Sequence, residues 1–84
     1  MVPLRITYDG IADAVYIYLQ PDSEGAPAIK TYPCDPVEVD GMINLDFDAA
    51  GRLLGVEVLD ARAKLAPELL AAAEDITKRA TSSQ

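Results

Sequence analysis

Apolar and polar positions alternate from residue 4 to residue 8, with Leu4, Ile6 and Tyr8 set against Arg5 and Thr7. A period of two is that of a strand with one solvated face. Asp9-Gly10 then signals a reversal, and residues 14–19 return with Val15, Ile17 and Leu19 on one face and Tyr16 and Tyr18 on the other. Neither face is charged, which predicts an interior strand covered in part on both sides. Further along, residues 42–48 oppose Ile43, Leu45 and Phe47 to Asn44, Asp46 and Asp48, a sharply two-sided strand. Asp48-Ala49-Ala50-Gly51 fits a type I turn followed by a left-handed glycine, because Asp accepts turn amides and Gly tolerates positive φ. Residues 53–59 complete this second hairpin. Residues 8–19 and 47–59 are thus variations on one pattern: an aromatic residue, an Asp, a short loop and an apolar strand ending on Leu.

Between the hairpins the chain is less regular. Residues 20–27 hold Pro21, Asp22, Ser23, Glu24, Gly25 and Pro27 and read as the longest loop. A short strand over residues 28–32 ends at Pro33, and Cys34-Asp35-Pro36 separates it from residues 37–40. Each proline removes a ladder donor, so both pieces are expected at a sheet edge. Asp40-Gly41 is a further turn signal. Residues 60–65 are expected to make one helical turn capped by Asp60, after which Pro67, at a first helical position, opens a helix reaching about residue 79. Glu68 near its start and Lys78 and Arg79 near its end match the macrodipole. Leu65, Leu69, Leu70, Ala73 and Ile76 form an apolar stripe that should cap one face of the sheet.

The expected fold is therefore α+β: an antiparallel meander of about four to five strands, containing the two hairpins, with one C-terminal helix (67–79) packed on it and a frayed tail over residues 80–84. The 84 residues read as a single domain, since a stable core needs most of that length. Half of the residues are hydrophobic and 25% are charged, more apolar material than one covered sheet face hides. A homodimer is the simplest remedy.

Composition narrows the function classes. Fourteen acidic side chains against seven basic ones give a net charge of −7, which opposes contact with phosphate backbones; it would steer the chain toward a basic protein partner, but keeping a small domain soluble accounts for it more simply. No apolar run approaches the roughly 20 residues that span a bilayer. The single cysteine, Cys34, has no internal disulfide partner, and the N-terminus lacks the charged and apolar regions of a secretory signal, so a reducing cytoplasmic location is expected.

Candidate chemistry is sparse. Asn44, Asp46 and Asp48 project oxygen-bearing side chains to one side of a strand, about 7 Å apart in succession, and Asp60 or Glu57 could approach across the sheet. Calcium or magnesium takes such ligands, but the glycine and terminal bidentate Glu of a dedicated calcium loop are missing. A solvated face with a turn-capping Asp48 accounts for the same pattern. Asp9 and Asp13 flank the first turn, where Asp9 is explained by bonding its own backbone two residues on. A hydrolytic or isomerising site would have to draw on Asp9, Asp46 and Asp48. No histidine occurs, so nothing in the sequence activates Cys34 or builds a Ser-His-Asp arrangement. No cofactor motif is present. Tyr8, Tyr16, Tyr18 and Tyr32 could pack or recognise a partner, and Tyr16, Tyr18, Leu53 and Leu59 are the candidates for a shared interface.

With Tyr8-Asp9, residues 13–17 (Asp-Ala-Val-Tyr-Ile), residues 44–48 (Asn-Leu-Asp-Phe-Asp) and Gly51 to Ala61 in hand, the chain resembles the prokaryotic domain of unknown function 2283 family over about residues 4–70. The resemblance implies a small α+β domain and no reaction. The expected function is a non-enzymatic, homodimeric interaction module, the alternatives being an antitoxin-like acidic partner of a basic toxin and a metal-binding or hydrolytic domain.

Overall fold

The computed structural model of the chain describes residues 4–20 and 28–77. The element order is β1 (Arg5–Asp9), β2 (Ala14–Tyr18), β3 (Lys30–Pro33), β4 (Ile43–Phe47), β5 (Leu53–Leu59), α1 (Ala61–Lys64), α2 (Pro67–Ala72) and β6 (Glu74–Asp75). They form one six-stranded mixed sheet in the order β3-β4-β5-β2-β1-β6 with two short helices. The class is α+β, as expected, but the sheet is neither purely antiparallel nor a plain meander.

Both hairpins are present, and their second strands pair with each other. β2 runs antiparallel to β5, so Val15 meets Val58 at the centre of the sheet, 1% and 4% exposed. Placing the two most apolar strands side by side buries more apolar surface than returning β2 to β3 would. The meander is interrupted there, and β2 takes the interior position its two uncharged faces predict.

The turns follow their chemistry. Asp9 Oδ1 accepts the amides of Ile11 (2.9 Å) and Ala12 (3.3 Å). Asp48 Oδ1 accepts those of Ala50 and Arg52, both at 2.9 Å, and Gly51 holds φ 82°. A register shift at Asp46/Phe47 places Gly55 opposite Asp46 and Leu53 opposite Phe47, a bulge that accommodates Leu54.

β3 is an edge strand, exposed at every position. The Cys34 amide donates to the Ile43 carbonyl at 2.8 Å. By the alternation of an antiparallel ladder, Tyr32 points its amide inward and Pro33 turns its donorless nitrogen outward. Residues 37–40 do not extend this edge as a strand. Asp35 Oδ1 accepts the Val37 and Glu38 amides, and Val39 and Gly41 donate to the carbonyls of Asp35 and Pro36, which folds the segment into a turn.

The C-terminal half departs most from expectation. α1 forms after Asp60, but Asp60 sits at φ 52° and makes no side-chain cap. α2 begins with Pro67 at its first position and ends at Ala72 rather than near residue 79. Of the predicted stripe, Leu65, Leu69 and Leu70 are half-buried, while Ala73 and Ile76 lie beyond the helix. Glu74–Asp75 instead adds to β1 in parallel, with the Ile76 amide donating to the Tyr8 carbonyl at 2.9 Å. An isolated helix of this length is marginal, whereas the open side of β1 offers carbonyls that need donors. Residues 21–27 of the expected loop, Lys78, Arg79 and the tail 80–84 lie outside the described residues.

Candidate functional site

Strand register sorts the side chains into rows that cross the sheet. On one face, Thr7, Tyr16, Glu57 and Asn44 form a row, and Arg5, Tyr18, Gly55, Asp46 and Thr31 form its neighbour. On the opposite face the intervening row reads Ile6, Ile17, Val56, Leu45 and Tyr32. One face is therefore polar and aromatic, the other apolar.

Hydrogen bonds stitch the polar face across four strands. The Tyr16 hydroxyl donates to Asp46 Oδ2 at 2.8 Å, and the Thr31 hydroxyl donates to Asp46 Oδ1 at 2.7 Å. To reach Asp46 the Tyr16 ring lies across Gly55, where an added Cβ would stand 2.6 Å from Tyr16 Cε2, from its hydroxyl and from the Ile17 carbonyl oxygen. Burial first, and the bond to Asp46 next, push the Tyr16 phenol far above its ordinary value. Asn44 donates to Glu57 Oε1 at 2.9 Å. Arg5 pairs with both Glu74 oxygens (3.0 and 3.2 Å) while its guanidinium carbon lies 5.2 Å from the Tyr18 ring centre. Tyr16 and Tyr18 meet edge to face at 4.6 Å and 67°.

These side chains border an open groove of about 380 Å³, lined by Thr7, Asp9, Ala14, Tyr16, Tyr18 and Glu57 among others. Thr7 is 3% exposed, the one buried polar residue among those described. Among the described residues none of the lining side chains is basic, although Arg5 lies over the lining Tyr18 ring.

The residues singled out from the sequence fall in separate places. Asn44 and Asp46 share the polar face but are engaged by Glu57 and by Tyr16 and Thr31. Asp48 serves its turn and accepts from the Gln20 side chain at 3.1 Å. That bond, followed by the Arg52 and Ala50 amides, lowers its carboxyl from the usual range. Among the described residues no group of three or more acidic or sulfur side chains could hold a metal ion. Asp9 stands on β1, separated from Asp46 on β4 by β2 and β5, so the structure does not assemble the Asp9, Asp46 and Asp48 constellation. Tyr16 and Tyr18 lie on the polar face, Leu59 pairs with Ala14, and Leu53 sits at the bulge. Cys34 is half-buried beyond the end of β3.

Asp13 is a residue whose role sequence reasoning missed. Held at φ 53°, it accepts the Tyr8 hydroxyl and the Arg62 amide on Oδ1, both at 3.1 Å, and its carbonyl takes the Ala61 amide at 3.0 Å. It caps α1 from the first hairpin and docks that helix on the sheet, leaving Ala61 fully buried. Burial and this bond to Asp13 raise the Tyr8 phenol.

Residues 5–62 match the model of a family described as "Protein of unknown function (DUF2283)". No curated protein and no solved structure matches the chain.

Proposed function

Because the chain belongs to the DUF2283 family, which carries no assigned reaction, we propose its role from physical grounds: a non-enzymatic interaction domain that pairs with a second copy through its apolar sheet face. The observation that carries this reading is incomplete burial. Among the described residues only Val15, Leu54, Val58 and Ala61 are buried apolar side chains, in a chain that is half hydrophobic. The row Ile6, Ile17, Val56, Leu45 and Tyr32 runs across five strands and is buried at none of them, with Tyr32 55% exposed.

A core that small leaves little margin over conformational entropy, and a permanent partner adds what the monomer lacks. A second copy suits the need, since a twofold axis makes one flat apolar row complementary to itself. Strand addition at β3 is a poor alternative, because Pro33 withholds a donor from that edge. The charge of −7 on each copy is screened within about 8 Å at physiological salt, so two apolar faces can meet.

Sedimentation equilibrium at micromolar concentration tests the proposal. The expected mass is twice the 9.0 kDa of the chain, falling to the single-chain mass for Tyr32→Asp with an unchanged circular dichroism spectrum. A wild-type monomer overturns the reading. Loss of the dimer in Tyr18→Asp but not in Tyr32→Asp moves the interface to the tyrosine face.

A further inference from the structure

We infer that residues 74–77 are a displaceable strap over the border of β1, and that the border they cover is an acceptor site for an extended segment of another protein, one with a carboxylate followed two residues on by an aliphatic side chain. Little holds the strap. β6 is two residues long and pairs in parallel, the arrangement that is slightly weaker per residue. It follows the six-residue α2, which buries no side chain and rests against α1. The Arg5–Glu74 pair is 29% and 39% exposed, and an ion pair so open to water adds little. A segment with so few buried contacts opens without the rest of the fold. β1 lies within the residues 5–62 that match the family and the strap lies outside them, so the strand and its cover belong to separate parts of the chain.

What the strap satisfies defines what can replace it. The Tyr8 carbonyl accepts the Ile76 amide at 2.9 Å, and the Gly10 amide donates to the Thr77 hydroxyl. The Arg5 guanidinium holds both Glu74 oxygens while lying over the Tyr18 ring of β2, a contact in which the strap has no part. Ile76 fits beside Thr7 and Tyr16 at one end of the groove. With the strap away, the border of β1 therefore presents a main-chain acceptor, a main-chain donor, a guanidinium already positioned and an apolar niche.

An extended strand answers all four at once. Its amide serves Tyr8, its polar atoms serve Gly10, its carboxylate takes Arg5 with two bonds, and its aliphatic side chain fills the niche left by Ile76. A basic segment would meet Arg5 as a like charge. The preference for an acid is local, since the chain as a whole is acidic. At the other border of the sheet Pro33 withholds a donor, which leaves β1 as the border suited to strand addition.

Native-state hydrogen exchange on the full chain tests the strap. After correction for intrinsic rates, the Ile76 and Gly10 amides should exchange together, about a hundredfold or more faster than those of Val15 and Val58 and with little dependence on denaturant. The acceptor site is tested in Ile76→Pro, which removes the amide given to Tyr8. Nuclear magnetic resonance titration with acetyl-Ala-Ala-Glu-Asp-Ile-Thr-Lys-amide, the sequence of residues 72–78, should give saturable shifts at residues 5–10. The affinity should exceed that of the wild type, whose own strap competes for the border, by about tenfold or more. The same peptide with lysine in place of glutamate should bind about tenfold more weakly. If Ile76→Pro does not fold, Glu74→Lys takes its place in the titration. The inference is overturned if Ile76 and Gly10 exchange at the rate of the central amides, if the folded variant binds the peptide no better than the wild type, or if the lysine peptide binds equally well. Both measurements read the border of the sheet within one chain, so a monomer in the sedimentation experiment leaves them standing.

Discussion

The Tyr16 hydroxyl reaches Asp46 at 2.8 Å by passing over a strand that carries no side chain at the crossing point, Gly55. β2 and β4 are thereby joined across β5 by a side-chain bond as well as by the ladder. The bond exists only while the phenol keeps its proton. A phenol whose folded value is raised contributes stability that is complete below its unfolded value, about 10, and is lost as pH climbs through the folded one. Ultraviolet titration should therefore show Tyr8 and Tyr16 ionising above the ordinary tyrosine range, with unfolding free energy falling above about pH 10. Tyr16→Phe should remove one late-ionising component and cost about 1 kcal/mol near neutral pH by chemical denaturation.

Gly55→Ala should be more damaging than a strand glycine usually implies. The new methyl group meets the Ile17 carbonyl as well as the Tyr16 ring, and the backbone atom cannot swing away. A loss of about 1–3 kcal/mol is expected in equilibrium denaturation. In the double variant with Tyr16→Phe the two losses should not add, because each disturbs the same ring.

Asp13→Ala should lose the α1 cap and also strain a residue held at φ 53°, for about 1–2 kcal/mol together. Asp13→Asn tolerates that backbone and keeps an accepting oxygen, so its denaturation midpoint should fall less. Faster amide exchange over residues 61–65 in the alanine variant would identify undocking of α1 as the cause.

Acid acts through Asp48. Its carboxyl is lowered in the folded chain by the Gln20 side chain and by the Arg52 and Ala50 amides, so its stabilisation is complete above about pH 4 and disappears as pH drops through the folded value. Asp48→Asn should be less stable than the wild type at neutral pH, and thermal melts of the two should converge as the pH is taken below that range.

Local chemistry made the hairpins legible. Alternation located the strands, Asp9 and Asp48 marked the turns, and the uncharged faces of residues 14–19 announced a central strand. The strand after α2 was illegible for a physical reason: residues 67–79 satisfy helical spacing locally, and only the distant edge of β1 decides otherwise. Residues 37–40 were misread because Asp35 closes a turn that their apolar content conceals. The groove was beyond reach of the sequence, since Thr7, Tyr16 and Glu57 come from three strands and only register makes them neighbours. A hint did exist in Gly55, for an isolated glycine inside a strand often marks a close approach.

Pro33 has a bearing on how large any assembly can grow. A sheet that welcomes strands along its border can recruit copies without end, and such growth is the route to fibres. With a donor missing from that border at β3, the self-association proposed above would be confined to one broad side and give each molecule a single valence. Under the proposed pairing, two copies would satisfy one another and the complex would stop at a defined stoichiometry with both tyrosine faces turned outward.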